Sequence, residues 1–400
     1  PYPTYARLRT EAPVYRNDDL DFWALSRHRD VLAAFRDVDH FSNRYGVSLD
    51  PAAFGPDAHR AMSFLAMDPP KHTRLRSLVG KSFTPRRVAE LEPRIRELTI
   101  AHLDSAFERG SFDFIADFAG RVPMDVISEL VGVPAADRAE LRRLADVVVH
   151  RDEGVTDVPP EGAEAAFLLA AYYADMIADR RRRPTDDLTS ALLAADVDGD
   201  RVTDDEAIAI LFLMVVAGNE TTTKLLGNAW YWGWRNPDEL AKPFADPGRV
   251  PDWIEETLRY DNSTQMLVRV TRTDVDIPGH ETADGGAGGG GDGDGGGTTI
   301  PEGGKVLLLI GSANRDEAVF ADPDRYDLDR AATDGKAHIS FGGGRHFCMG
   351  AALARLEARV ALTELVARTA SYDVDPDGIR RVHSINVRGL AALPTTVQPR

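Results

Sequence analysis

The single cysteine of the chain, Cys348, lies shortly after three consecutive glycines and at the start of a predicted helix. A lone cysteine is most often a buried structural thiol. It can also be a nucleophile, because the positive end of a helix lowers the pKa of a thiol. A phosphatase-type site would need an arginine in the loop, and Arg355 is too far along the helix, whereas a papain-like site with distant His and Asn partners stays open. The third interpretation is a metal thiolate, since amide N–H groups of a glycine-rich loop can point at the sulfur and keep it anionic.

A second group of reactive side chains interrupts a long apolar segment at residues 217–222. Gly218 costs a helix about 1 kcal/mol relative to alanine, and an acid beside a hydroxyl conflicts with an apolar run. One explanation is a helix that leaves the core at this point. The other is functional: Gly218 permits close approach and a local widening of the helix, and Glu220 and Thr221 place a carboxylate and a hydroxyl beside a buried site.

Two pairs of charged residues have helical spacing. Glu256 and Arg259 are three positions apart, and such an ion pair is common on helix surfaces, so alone it indicates little. His72 and Arg76 are one helical turn apart and therefore face the same way. Without further context this second pair is typical of a solvated basic helix.

The stretch around His72 reverses the charge of the chain. The chain has 47 Lys and Arg against 64 Asp and Glu, a formal charge of −17, which argues against nucleic acid or an anionic membrane as the main partner. Between positions 71 and 87 the basic residues occur without an acid; they are Lys71, Arg74, Arg76, Lys81, Arg86 and Arg87.

Composition also limits the class of protein. One cysteine excludes an internal disulfide and a Cys-pair zinc site, and it is consistent with a reducing cytosol. No stretch reaches the ~18 to 20 uncharged apolar residues of a membrane span, and no secretory signal is recognised at the start of the chain. We therefore expect a cytoplasmic protein without a membrane span, and 400 residues are enough for a large core.

Hydrophobic periodicity predicts a mainly α-helical fold with a minor β-sheet region. Strands are predicted at 12–15, 22–25, 266–277 and 306–310, and helices at 30–35, 88–107, 114–131, 137–149, 163–182, 188–195, 253–260 and after Cys348. Thr203 and Glu206 form a capping box. The helix that it opens should run to about Trp234, roughly 45 Å, and lie centrally.

A glycine-rich stretch stands apart from these elements. Residues 285–297 contain ten glycines in thirteen positions, which predicts a flexible insertion at about 281–299, because glycine loses the most entropy on ordering. A calcium-binding glycine repeat would need stacked copies, and the sequence has one.

The segment 341–350 resembles the haem-binding loop of the cytochrome P-450 family. The matching signature positions are Phe341, Gly342, Gly344, His346, Cys348 and Gly350. The stretch 217–222 and the Glu256–Arg259 pair also match motifs of this family, and the resemblance covers essentially the whole chain as a single domain, 1–400. It implies the cytochrome P-450 fold, a triangular prism whose long central helix crosses the haem site.

The resemblance also implies roles for individual residues. Cys348 would ligate the iron of haem b, and Thr221 with Glu220, Gly218 and Ala217 would form the oxygen-binding groove and the proton-delivery pair. The haem propionates would be bound by His72, Arg76, Arg269 and His346. Glu256 and Arg259 would dock onto Arg325 and brace the cysteine loop.

The implied activity is monooxygenation, in which one atom of O2 enters a mostly apolar small molecule by hydroxylation or epoxidation. Electrons would come from a ferredoxin and its NAD(P)H reductase, because no flavin or iron–sulfur domain fits in this chain. An acidic ferredoxin would dock on the basic stretch, at Lys71, Arg74, Lys81, Arg86 and Arg87, and the chain would act as a monomer. The alternatives are an H2O2-driven haem peroxygenase, a haem-binding sensor without turnover, and a cysteine hydrolase.

Two features depart from the family pattern. The glycine-rich insertion occurs where relatives have a tight turn, and the segment 261–266 lacks a proline that is often found there. Walls of the substrate pocket are expected from 43–64, 141–173, 213–217, 263–267 and 384–387. The sequence does not specify which substrate they enclose.

Overall fold

The chain folds as a helical body with small sheets, in a computed structural model that describes residues 1–51, 53–80, 83–151, 154–155, 157–197, 199–279, 297–332 and 337–400. The helices are α1 (Tyr2–Glu11), α2 (His28–Arg36), α3 (His59–Met62), α4 (Lys71–Gly80), α5 (Pro85–Glu90), α6 (Glu92–Phe107), α7 (Arg121–Val131), α8 (Arg138–Val149), α9 (Pro160–Arg182), α10 (Leu188–Ala194), α11 (Asp204–Arg235), α12 (Pro237–Ala245), α13 (Val250–Tyr260), α14 (Ile310–Ala313) and α15 (Ala351–Arg368). The prediction of a mainly helical fold is confirmed.

Helix α11 crosses the molecule and has 32 residues. The Thr203 hydroxyl accepts from the amide of Glu206, and the Glu206 carboxylate accepts from the amide of Thr203, so the predicted capping box is present. The helix packs against α7, α9, α13 and α15. Near its end, Trp230 stacks on Tyr372 with ring centroids 3.6 Å apart. Apolar contacts on several sides hold this helix at the centre, as the capping box and the apolar run predict.

The strands form one larger sheet and several small ones. They are β1 (Val14–Asn17), β2 (Phe22–Leu25), β3 (Phe41–Ser42), β4 (Ser111–Asp113), β5 (Asp196–Val197), β6 (Asp200–Arg201), β7 (Leu267–Thr271), β8 (Val275–Ile277), β9 (Thr298–Ile300), β10 (Lys305–Leu308), β11 (Thr369–Val374), β12 (Arg380–Arg381), β13 (Leu390–Ala392) and β14 (Pro394–Pro399). The larger sheet has the order β1-β2-β10-β7-β3, in which β10 pairs parallel with β2 and antiparallel with β7. Strand β7 brings Arg269 opposite Val306.

Sequence periodicity misses several elements. Helices α1 and α12 and the sheet β11-β14-β4 were not predicted, and the helix expected at 114–131 begins with one π-helical turn, Ile115–Ala119. Most of the predicted glycine-rich insertion, residues 280–296, lies outside the described residues. Its flanks form the antiparallel pair β8–β9, in which Ile277 lies opposite Thr298.

One described helix, α11, is long and apolar enough in composition to cross a membrane. However, 61% of the apolar 18-residue stretch within this helix is buried inside the protein. A helix at the centre of a large core has the same composition, because it is surrounded by apolar side chains on most sides.

Candidate active site

A cavity of about 290 Å³ lies between α11 and the loop that precedes α15. Many of the residues singled out in the sequence line it, although they come from distant parts of the chain. They are Arg76, Ala217, Gly218, Thr221, Arg269, Phe341, Gly342, His346, Cys348 and Gly350. The remaining wall is mostly apolar and includes Phe64, Ile127 and Leu213.

The loop before α15 closes on itself around Cys348. The Cys348 amide donates to the Phe341 carbonyl at 2.9 Å. Gly342 and Gly344 have φ angles of +70° and +63°, and a Cβ atom on Gly344 would lie 2.5 Å from the backbone oxygen of Phe35 in α2. Backbone conformation and close approach therefore require glycine in this loop.

Cys348 is exposed, and it lines the cavity. Burial raises the pKa of this thiol, whereas amide hydrogen bonds from Gly350 and Ala351 and the charges of Arg76 and Arg355 lower it. The amides at the start of α15 thus point at the sulfur, as the glycine-rich loop predicts. A bound metal cation would add the positive charge that stabilises the thiolate.

Basic side chains from three elements line the cavity that holds the thiol: Arg76 from α4, Arg269 from β7 and His346 from the loop. His72 of α4 is not in the cavity lining and contacts His346. The rings of His72 and His346 have centroids 4.0 Å apart. Within the part of the chain that the structure describes, both ring nitrogens of His72 and Nε2 of His346 are buried without a hydrogen-bond partner. Arg269, 2% exposed, donates to the Val268 carbonyl at 2.8 Å.

Burial lowers the pKa values of these groups, to about 10 for Arg269, about 4 for His72 and about 2 for His346. The carboxylate that opposes this effect on Arg269 and His72 belongs to Asp68, which is hydrogen-bonded to Ser42 and 3.4 Å from Arg272. Buried donors and cations without acceptors are costly, so this cluster fits a ligand that carries carboxylates.

Glu256 and Arg259 form a completely buried ion pair in α13. Two Arg259 nitrogens donate to the two Glu256 carboxylate oxygens, each at 2.8 Å, and both side chains are 0% exposed. Arg259 also donates to the carbonyl of Asn314 at 3.0 Å. The Asn314 side chain in turn accepts from the amide of Ile339 and donates to the hydroxyl of Ser340, both at 2.8 Å. The pair thus holds the start of the cysteine loop through Asn314, a residue that sequence reasoning missed.

The prediction that Arg325 docks onto this pair is wrong. The Arg325 side chain is 63% exposed and lies 3.9 Å from Asp327, and only its backbone carbonyl accepts from Arg259, at 3.1 Å. Arg330, 5% exposed, lies 3.6 Å from Glu256 instead. The backbone turns between Arg325 and Arg330. As a result the side chain of Arg330, and not that of Arg325, lies next to Glu256. Spacing alone cannot distinguish the two arginines.

Helix α11 carries Thr221 past the cavity without a break. The Thr221 hydroxyl donates to the Ala217 carbonyl at 2.9 Å, and the Ser263 hydroxyl donates to the Thr221 carbonyl at 2.7 Å. The backbone stays α-helical through residues 217–222, so the local widening expected at Gly218 is absent. Gly218 still lines the cavity.

Glu220, next to Thr221, does not line the cavity. Its carboxylate lies 3.2 Å from the ammonium of Lys224, one turn along α11, and both side chains are buried. The pKa of Asp146 in α8 is raised to about 6, mainly by burial and then by the negative charge of Glu220. The structure therefore places Glu220 in a charged group between α8 and α11, behind Thr221.

Comparison with known proteins agrees with this geometry. Residues 292–394 match the family model described as Cytochrome P450. The chain is 57% identical over 400 residues to a protein named cytochrome P450 123 of Mycobacterium tuberculosis, covering 100% of this chain and 94% of that protein. The chain belongs to the cytochrome P450 family.

Two further cytochromes P450 are similar over nearly their whole length. The vitamin D(3) 25-hydroxylase of Pseudonocardia autotrophica is 38% identical over 408 residues, covering 100% of this chain and 94% of the relative. The solved structure of CYP109Q5 from Chondromyces apiculatus has a TM-score of 0.85 and 36% identity and covers 100% and 96% of the two chains. The cytochrome P450 fold is confirmed, and the protein is a haem-dependent monooxygenase.

The cofactor of a cytochrome P450 is haem b, and the residues around the cavity fit it. The cavity has one thiol, and buried basic groups stand beside it for two carboxylates. Among the described ranges, no three His, Cys, Asp or Glu side chains converge as a bare metal ion would require. A porphyrin supplies four ligands to its iron, so a single protein thiolate is sufficient.

The walls of this cytochrome P450 cavity follow the sequence expectation in part. Phe64, Leu213, Met214 and the stretch 263–267 contribute. Among the described residues, 141–173 and 384–387 contribute none of the lining side chains. Instead α7 and α15 contribute Ile127 and Glu357, which the apolar patterns alone did not indicate.

The basic stretch 71–87 is partly neutralised in the structure. Arg74 forms ion pairs with Asp200 and Glu206, and Arg86 lies 3.1 Å from Glu90. Lys71 and Arg87 are exposed, and Lys81 lies outside the described residues. The charge reversal seen in the sequence therefore survives mainly at Lys71 and Arg87.

Proposed function

We propose that Cys348 is the haem-iron ligand of this monooxygenase and that the cavity above it holds a mostly apolar small molecule. The observation that carries this proposal is the meeting, at one cavity, of a thiol with amides aimed at it and of a basic cluster whose two histidines have ring nitrogens without a partner among the described residues. A cysteine hydrolase could use the amides that face the thiol, but it does not need the buried basic groups. When bound, the haem supplies the activation of O2.

The basic cluster orients the cofactor. Arg76, Arg269, His72 and His346 would donate to the two propionates. The pKa values of both histidines are lowered, so each imidazole donates from its neutral form and the arginines supply the charge. Phe341, Gly342 and Gly350 would pack against the porphyrin on the thiolate side. These residues fix the cofactor and leave the chemistry to the opposite face.

On that opposite face, Ala217 and Gly218 leave room beside the helix, and Thr221 places a hydroxyl at the cavity. The Thr221 hydroxyl donates to the Ala217 carbonyl, and a rotation about one side-chain bond would direct its proton into the cavity instead. Glu220 would bring protons from the α8–α11 boundary to Thr221. The pair thus moves protons, and the apolar wall keeps bulk water away.

Replacement of Thr221 tests this assignment. T221A should keep the haem spectrum and substrate binding but divert electrons into hydrogen peroxide, whereas T221S should stay close to wild type because it keeps the hydroxyl. The measurement is peroxide released per NAD(P)H consumed. Equal peroxide yields from T221A and T221S would contradict a proton-moving hydroxyl.

The substrate class follows from the wall. Side chains such as Phe64, Leu65, Ile127 and Leu213 offer apolar surface, with hydroxyls at Ser263 and Thr264. The 38% identical relative is named a vitamin D(3) 25-hydroxylase, so a sterol-like molecule is our first candidate for this chain, with a C–H hydroxylation or an epoxidation as the reaction. Spectral titration with vitamin D3, a steroid and a long-chain fatty acid would rank the candidates.

We also propose that a ferredoxin, reduced by an NAD(P)H reductase, delivers the electrons to the face that carries Lys71 and Arg87. The double variant K71E/R87E should slow reduction and flatten its salt dependence, since exposed charges steer association. R380E, at an exposed arginine of β12, is a matched charge reversal outside this stretch. An unchanged rate and salt dependence in K71E/R87E would count against docking here.

Residues 1–400 would act as one catalytic unit, because side chains from Phe35 to Glu357 line one cavity. We also propose that this unit is a monomer in the cytoplasm. Three spectral and kinetic readouts separate the alternatives. A sensor would give a haem spectrum and no turnover, and a peroxygenase would turn over with H2O2 faster than with the electron-transfer partners. A cysteine hydrolase would have no haem spectrum.

A further inference from the structure

The segment 261–266, which departs from the family pattern because it lacks a proline, is hydrogen-bonded to one face of α11. The Asn228 side chain donates to the Asp261 carbonyl at 2.7 Å. Further along the segment, the Ser263 hydroxyl donates to the Thr221 carbonyl at 2.7 Å. Residues 221 and 228 are separated by about two helical turns, so they share this face of α11. Of these two contacts, only that of Ser263 lies at the cavity.

Ser263 itself is held in place from the other side. Its carbonyl accepts from the amide of Arg388 at 2.7 Å, and Thr264, the next residue, forms an antiparallel bridge with Val387. The Arg388 side chain in turn donates to the carboxylate of Asp261 at 2.8 Å. Ser263 is 7% exposed and lines the cavity. A buried and braced hydroxyl of the cavity wall therefore contacts the backbone of the central helix.

The acceptor of this hydrogen bond belongs to the residue whose hydroxyl lies at the cavity. A backbone carbonyl has two lone pairs, so the Thr221 carbonyl can accept from Ser263 and still take part in the helix, which is continuous here. A carbonyl that accepts from outside its helix tilts toward that donor. The nearby Gly218 makes this part of the helix easier to deform, because glycine has the greatest backbone freedom. The bond from Ser263 therefore restrains the backbone that carries the Thr221 hydroxyl.

We propose that Ser263 is a positioning residue for monooxygenation: its hydroxyl holds the Thr221 backbone so that the Thr221 hydroxyl keeps one orientation toward the cavity. Ser263 supplies no proton itself, because its O–H donates to the Thr221 carbonyl. When this bond is lost, Thr221 takes several orientations and proton delivery fails more often. Each O2 that has received two electrons then takes up two protons and leaves as H2O2, and the substrate is not oxidised. This positioning role rests on the proton-moving role proposed for Thr221.

The infrared band of the C–O stretch in the reduced CO complex tests the position of Thr221 without substrate or electron partner, because polar groups at the cavity shift that band. Wild type should give one narrow band. S263A should broaden or split it, and S263T, which keeps the hydroxyl, should restore the single band. T223V is the matched control: Thr223 is buried in the same helix outside the cavity lining, and its hydroxyl has no partner among the described residues. A band of S263A identical to those of wild type and T223V would overturn the proposal.

Peroxide release tests the consequence for the reaction, with vitamin D3 as the probe and a ferredoxin with its reductase as the electron source. S263A should release about fivefold more peroxide per NAD(P)H than wild type, because one neutral hydrogen bond shifts a balance between orientations by about that factor. S263T should recover most of the difference. In a T221A background the same change at Ser263 should add nothing, since the hydroxyl that it positions is gone. An equal rise in both backgrounds would overturn the proposal and make Ser263 an independent contact of the substrate.

Failure of the proposed function would give different results. Equal peroxide release from T221A and T221S would contradict the role of Thr221, and a wild-type protein without a thiolate-type CO spectrum would contradict ligation by Cys348. The positioning role of Ser263 alone fails when T221A releases more peroxide than T221S while S263A matches wild type.

Discussion

Arg259 and Arg269 are both buried cations within one short stretch of chain, and their surroundings are opposite. Arg259, 0% exposed, donates to both oxygens of Glu256 and to the carbonyls of Asn314, Pro323 and Arg325. Arg269, 2% exposed, has a hydrogen bond to the neighbouring Val268 carbonyl and a ring contact with Phe35, at 5.2 Å from its centroid.

The difference distinguishes a structural site from a ligand site. A buried arginine whose donors are all accepted within the protein holds the fold together, because each lost bond would leave an unsatisfied group. A buried arginine with few acceptors among the described residues is costly to the protein alone. The cost is offset only when a ligand brings the acceptors. The Arg259 network therefore braces the cysteine loop, and the Arg269 cluster has the surroundings expected of the proposed site for the cofactor carboxylates.

The largest expected effect comes from removing the thiolate itself. C348S should abolish the thiolate-type Soret band of the reduced CO complex and all monooxygenase activity, since the electron donation by sulfur is lost. The basic cluster around Arg269 stays intact, so some haem should still bind. Absorbance spectra of the purified variant check both statements. A C348S protein with an unchanged CO spectrum would contradict the assignment of the ligand.

The next largest effect should fall on stability. E256Q removes the charge that Arg259 and Arg330 face, and breaking a completely buried pair costs roughly 3 to 5 kcal/mol. The free energy of unfolding, from urea denaturation of the apoprotein, measures it. R325A is the control, because the exposed Arg325 side chain does not contact the Glu256–Arg259 pair. This substitution should change the free energy of unfolding by less than about 0.5 kcal/mol. Equal losses in E256Q and R325A would show that Arg325, as the sequence suggested, is the docking arginine.

Sequence reasoning reached the elements whose signal is local. The capping box at Thr203 predicted the start of α11, and three consecutive glycines before a lone cysteine drew attention to the loop before α15. The long-range partners left no such signal. Asn314 connects Arg259 to Ser340 only because three segments meet, and Arg330 replaces Arg325 because the preceding backbone curls.

The two carboxyls near Thr221 show the same limit. The motif at 217–222 drew attention to Glu220, which the structure pairs with Lys224 away from the cavity. Glu357 lies in an ordinary helical pattern and faces the cavity only because α15 crosses α11. Which side of a helix faces a cavity depends on how other helices pack against it. That packing is set by contacts between residues far apart in the sequence, so no local pattern predicts it.

Replacing Arg269 should have the opposite effects to E256Q: it should lower the affinity for haem and leave the stability of the apoprotein intact. In R269M the apoprotein should be as stable as wild type or more so, because a buried cation is removed. The affinity for haem should fall about 10- to 100-fold, the equivalent of one charge-assisted hydrogen bond of ~1.5 to 3 kcal/mol. Urea denaturation of the apoprotein and haem transfer to an acceptor protein measure the two quantities. A strongly destabilised R269M apoprotein would place Arg269 with Arg259 as a structural residue.

The smallest effect should appear in the pH dependence of the apoprotein. Burial holds the pKa of His72 at about 4 in the folded chain, below its ordinary value of 6.5, so below pH 6.5 the unfolded chain binds more protons. Stability should therefore fall as the pH drops from about 6.5 to about 4. H72Q, which cannot take up this proton, should lose less stability over the same range. Because propionates would accept from an imidazolium, the wild-type haem protein should also lose less than its apoprotein. If the wild-type apoprotein, the H72Q apoprotein and the wild-type haem protein showed the same pH dependence, His72 would not belong to the basic cluster around Arg269.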